Sequence, residues 1–125
     1  MYDMGTEDYG QLYVMACNKF YMKNNILNTS HIELCAKAYI INNIVLCRLA
    51  LKNNYYVELK YNNLNANNEA SYYNIVTIWS DNVLTNTGVY HVDFNTLYST
   101  IGKDLVRQTE TIVLTENYNV RRITS

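Results

Sequence analysis

Proline is absent from this chain, and glycine occurs only four times in 125 residues. Gly5, Gly10, Gly88 and Gly102 are too scattered to build a Gly-rich phosphate loop. Charge is scarce too. Charged residues make up 17%, with Lys+Arg 10 and Asp+Glu 11, a formal net charge of −1. Binding a phosphate backbone needs clustered cations. The only adjacent basic pair, Arg121-Arg122, reads as a solvated strand end, so no nucleic-acid partner is expected. With two histidines, His31 and His91, and no Cys-x-x-Cys or His-x-x-x-His, no metal site and no cofactor are expected. No apolar run reaches the roughly 18 residues of a membrane helix. The acidic residues 1–8 are no signal peptide, and no membrane partner is expected. Cys17, Cys35 and Cys47 are too few and too unpaired for a disulfide framework. They read as reduced, buried thiols of a cytoplasmic protein (host cytoplasm for a viral one), with one bridge plus a free thiol as the alternative.

What is present argues for a folded chain. Hydrophobic residues are 49%, which argues against disorder, and the length suits a single domain over 1–125. Asparagine, 19 residues, supplies the uncharged polar surface, beside 13 Tyr and one Trp. High Asn, Tyr and Ile without Pro is what an AT-rich genome encodes, which points to a virus, a phage or an AT-rich microbe.

The pattern predicts an α+β fold. Thr6 caps a helix over about 7–23, with Glu7 and Asp8 in its first turn and Leu12, Ala16 and Phe20 at helical spacing. An antiparallel β-meander follows, with strands at 33–41, 44–52 and 55–61. Asn42-Asn43 and Asn53-Asn54 serve as two-residue hairpin turns, although Ser30 and Glu33 also form a Ser-x-x-Glu capping box that argues for a helix in 31–41. Residues 62–70 read as a loop, 71–79 as a strand and 89–92 as a short strand. Asp93 caps a second helix carrying Phe94, Leu97, Tyr98, Ile101 and Leu105. Residues 109–124 read as a C-terminal β-hairpin. The helices pack on one face of the sheet, and no internal repeat is apparent. The helix-then-sheet order, residues 12–25 and later Asn54-Tyr55-Tyr56-Val57, resembles that of cystatins. The inhibitory Gln-x-Val-x-Gly loop is missing, Ala50-Leu51-Lys52-Asn53-Asn54 standing in its place, so the resemblance assigns no function.

Chemistry is sparse. Cys35 or Cys47 with His91 and Asp93 or Asp81 would fill the roles of nucleophile, base and orienting group. The plainer reading puts His91 on a strand surface and Cys47 in the core. The unusual feature is tyrosine on the sheet. Tyr56 shares a face with Glu58 and Lys60, opposite Val57 and Leu59. Tyr56, Tyr72, Tyr73 and Trp79 are the candidate binding residues, because Tyr and Trp bring contact area and a polar tip at low entropic cost. The expected function is a small non-enzymatic protein-binding module, an inhibitor or adaptor of viral or phage type acting by protein–protein contact. The alternatives are a structural subunit of a symmetric assembly (a virion component or homo-oligomer) and a small enzyme with an unrecognised site.

Overall fold

The computed structural model describes residues 11–65, 76–80, 88–99, 105–107, 113–115 and 121–124. Every element among them is a strand: β1 (Gln11–Met15), β2 (Lys19–Lys23), β3 (Ile26–Glu33), β4 (Lys37–Ile41), β5 (Ile44–Lys52), β6 (Tyr56–Lys60), β7 (Asn63–Asn65), β8 (Val76–Trp79), β9 (Val89–Asp93), β10 (Thr96–Ser99), β11 (Leu105–Arg107), β12 (Val113–Thr115) and β13 (Arg121–Thr124). Sheet A runs β1-β3-β5-β7-β10-β13, with β8 between β5 and β11. Sheet B runs β12-β9-β6-β4-β2. All pairings are parallel. The chain alternates between the sheets and returns one rung further on, so it winds as a two-sheet β-solenoid.

The α+β expectation is therefore corrected to all-β. The helix expected over 7–23 is, in its described part, β1 and β2. Leu12 and Val14 face the core while Tyr13 and Met15 are exposed, a period of two that the helical stripe had masked. Ala16 belongs to no helix: its φ is 59°. The second helix is replaced by β10 and β11, with Phe94 at a corner (φ 57°) and residues 100–104 outside the described part. Ser30 caps nothing. It is buried, with its hydroxyl 4.0 Å from Met22 Sδ. The expected C-terminal hairpin is two strands in different sheets, β12 on β9 and β13 on β10. The expected loop at 62–70 begins with buried Asn62 and contains β7.

The antiparallel meander fails at its turns. A type I′ hairpin needs positive φ at both central residues. Here only the first of each pair has it: Asn42 at 57° and Asn53 at 56°. The second residue lacks a positive φ and buries its side chain in the solenoid. At one corner the left-handed residues are Asn24, Asn42, Tyr61 and Phe94, each followed by an asparagine: Asn25, Asn43, Asn62 and Asn95. At the other they are Ala16, Leu34 and Asn53, followed by Cys17, Cys35 and Asn54.

The asparagines form a ladder. Each Oδ1 accepts both the backbone N–H and the side-chain amide of the asparagine one coil earlier. The distances are 3.0 and 3.2 Å for Asn25 on Asn43, 2.8 and 3.0 Å for Asn43 on Asn62, and 2.9 and 2.9 Å for Asn62 on Asn95. The Nδ2 groups of Asn43, Asn62 and Asn95 also donate to the carbonyls of Met22, Ile40 and Leu59. These rungs are 18, 19 and 33 residues apart. In the longest coil the partner of β5 is divided into β7 and β8. Between the sheets lies one core of Leu, Ile and Val, including Ile32, Ile40, Leu49, Leu51 and Leu59, all fully buried.

Candidate functional site: an aromatic and basic sheet face

Period-two alternation sends Phe20, Met22, Ala38, Ile40, Val57 and Leu59 inward from sheet B and leaves the intervening residues outside. The parallel register then stacks those outer residues into columns. Lys19 stands opposite Lys37, and Tyr21 opposite Tyr39. Tyr39, Glu58, His91 and Thr115 continue in register over the next coils. The Tyr21 and Tyr39 rings stack at 5.0 Å and 14°, with Lys23 Nζ 5.2 Å from the Tyr21 centroid. Tyr39 and Tyr56 lie 6.3 Å apart, Tyr56 and His91 5.5 Å apart. Four rings thus run across four coils.

Along β6, Tyr56 Oη donates to Glu58 Oε2 at 2.7 Å, and Glu58 Oε1 pairs with Lys60 Nζ at 3.1 Å. Burial pushes the Tyr56 hydroxyl up to about 12, and its bond to the Glu58 carboxylate adds to the rise. Burial alone would raise Glu58 as well. The hydrogen bonds from Tyr56 and Lys60 outweigh it and hold that carboxyl below its ordinary value. Glu58 is therefore ionised and engaged.

No described carboxylate pairs with Lys19 or Lys37. Only three acidic residues, Glu33, Glu58 and Asp93, lie in the described part, against nine Lys and Arg; the remaining eight acids lie outside it. The described residues thus carry a formal charge of +6 and the remaining residues −7, which together give the net charge of −1.

Trp79 stands on the other outer face, that of sheet A. There His31 meets it edge-on at 6.0 Å, and Arg48 and Lys52 approach its ring at 6.0 and 5.9 Å. Tyr13 stacks on His31 at 4.6 Å, and His31 Nε2 pairs with Glu33 at 2.8 Å. Of the candidate binding residues, Tyr56 and Trp79 are thus on opposite faces and are not brought together. Tyr72 and Tyr73 lie outside the described residues. Tyr21, Tyr39, Lys19 and Lys37 were missed. Their signal is in the chain: Cys-x-Lys-x-Tyr-x-x-Asn-Asn occurs at 17–25 and again at 35–43, a repeat of one coil.

Catalytic arrangements are poor. His91 Nδ1 lies 3.0 Å from Thr115 Oγ1, but that hydroxyl also reaches the Tyr90 carbonyl at 3.4 Å, and Glu58 is held by Tyr56 and Lys60. The three cysteines are free; Cys35 is buried, Cys17 and Cys47 partly so. Among the described residues no group of three or more metal-ligating side chains forms, and no helix is long and apolar enough to cross a membrane. Neither a family model, a curated protein nor a solved structure matches this chain. No relative supports the viral or inhibitor reading, and the resemblance to cystatins falls with the helix and the antiparallel sheet.

Proposed function

We propose that the chain is a non-enzymatic binding module that engages an acidic protein surface through the outer face of sheet B. The observation that carries this is Lys19 beside Lys37. Both are exposed and in register, flanking the Tyr21–Tyr39 stack. Like charges directly opposite on parallel strands repel, and a partner's carboxylates between them relieve that repulsion. The tyrosines add rigid contact area. The free cysteines suit a cytoplasmic setting.

The test is titration of isotope-labelled protein with poly-glutamate. Salt-sensitive shifts centred on Lys19, Tyr21, Lys37 and Tyr39 are expected. Shifts centred on Trp79, or tighter binding of single-stranded DNA, would overturn the reading.

Self-assembly is the second reading. Inward residues of the first and last described coils, Leu12, Val14, Phe20 and Leu114, are only partly buried, as the ends of a stackable solenoid would be. Sedimentation separates the two: a concentration-independent monomer excludes assembly.

A further inference from the structure

The corner that follows sheet A carries a column of different chemistry from the asparagine ladder. Cys17 and Cys35 occupy equivalent positions in adjacent coils. Register partners bracket them on both sides, Met15 with Glu33 and Lys19 with Lys37. The Ala36 amide donates to the Cys17 carbonyl at 2.9 Å and the Lys37 amide to the Asn18 carbonyl at 3.1 Å, which clamps the two corners together. Both thiols belong to the core, Cys35 within it and Cys17 packed against it with part of its surface open. Neighbouring strands lie about 4.8 Å apart, inside the Cα window of roughly 4.4–6.8 Å that a disulfide requires. The next coil places Asn54 in the column. Its Oδ1 accepts the Cys35 amide at 2.9 Å, so the thiol column ends there. Cys47 sits within β5, away from this corner.

We propose that Cys17 and Cys35 are a disulfide-forming site, closed between adjacent coils by exchange with a small disulfide such as oxidised glutathione. Cys17, the accessible thiol, attacks as its thiolate. The glutathione S–S bond breaks, a mixed disulfide forms on Cys17, and one glutathione leaves as thiolate and takes up a proton. Cys35 then loses its proton and attacks Cys17 Sγ. The second glutathione leaves as thiolate and takes up a proton. Two protein thiols are oxidised and one glutathione disulfide is reduced to two thiols. Burial pushes the Cys35 thiol above its ordinary value, so the first step belongs to Cys17, and Cys35 acts only as the resolving group, from within the core.

The experiment treats natively folded Cys47→Ser protein with oxidised glutathione, blocks remaining thiols with an alkylating reagent, and weighs the product. The expected result is a loss of about 2 Da with no alkyl group added, and a melting temperature raised by roughly 5–10 °C, because the bond closes a loop of one coil. Two alkylated thiols, a glutathione adduct that persists, or a disulfide-linked dimer would overturn the proposal. Should the variant fold poorly, the native sequence is treated alike and mapped by proteolysis. A peptide joining Cys17 to Cys35 is expected there, and linkage of either to Cys47 contradicts the site.

Discussion

Asn62 donates twice to one oxygen of Asn95: its backbone N–H and its side-chain amide each lie 2.9 Å from Asn95 Oδ1. The two residues are 33 positions apart, so the ladder resumes in register after the longest coil. Every polar atom of the Asn62 side chain is engaged, since Oδ1 takes the Asn43 amides and Nδ2 reaches the Ile40 carbonyl. Asn62→Ala would strand several buried groups, each costing about 1–3 kcal/mol. A loss of about 3 kcal/mol in denaturant unfolding is expected. Asn25→Ala, at the exposed end of the ladder, should cost less than about 1 kcal/mol. Equal losses at the two positions would contradict the ladder.

Ala16 is held at φ 59° with its amide bonded to the Glu33 carbonyl at 2.9 Å. A left-handed residue with a Cβ carries about 1–2 kcal/mol of strain. Glycine removes it and gives part back as unfolded-chain entropy. Ala16→Gly should therefore stabilise the protein by about 0.5–1 kcal/mol. Destabilisation would show that this corner is not left-handed.

Tyr90 is buried beneath sheet B, and burial pushes its hydroxyl up to about 12 although Asn54 Nδ2 donates to it. The unfolded chain releases this proton near pH 10. Stability is therefore complete below pH 10 and falls between pH 10 and 12 as only the unfolded state ionises. For Tyr90 alone the slope approaches about 1.4 kcal/mol per pH unit, and Tyr56, raised alike, adds to it. Tyr90→Phe should flatten that decline in a urea-unfolding series; an unchanged slope would assign it elsewhere.

Lys37→Glu should move stability and binding in opposite directions. Opposite charge across from Lys19 replaces repulsion, so unfolding free energy should rise by about 0.5 kcal/mol. Binding of poly-glutamate should weaken about tenfold, equivalent to about 1.4 kcal/mol. A variant that loses both, or neither, would remove Lys37 from the contact face.

The sequence displayed the alternation of β6 plainly, because Val57 and Leu59 are apolar between Tyr56, Glu58 and Lys60, whereas in β5 apolar residues fill both phases, Leu46 and Ala50 as well as Val45, Leu49 and Leu51. It did not display pairing direction. Alternation is the same for parallel and antiparallel neighbours, and an Asn-Asn pair suits either a hairpin or a corner. The distinction lies in the period. Tyr21 and Tyr39, Lys19 and Lys37, and Cys17 and Cys35 recur at one coil, whereas a meander has no reason to repeat identities at that distance. The first helix was misread because Leu12, Ala16 and Phe20 satisfy helical spacing while Leu12 with Val14 and Phe20 with Met22 satisfy strand spacing. Tyr56 could be placed outside from Glu58 and Lys60 alone. Its neighbours across the sheet could not, since they come from other coils.

Coil stacking in parallel register underlies the fold, the basic face and the thiol pair alike, and proton–proton contacts in solution test it most directly. Cross-peaks are predicted between the ring protons of Tyr21 and Tyr39, and between the side-chain amides of Asn43 and Asn62, together with the absence of close α-proton pairs between residues 37–41 and 44–52. Strong α-proton contacts between those two segments, without the tyrosine and asparagine contacts, would mean antiparallel pairing and would contradict the solenoid and everything built on it.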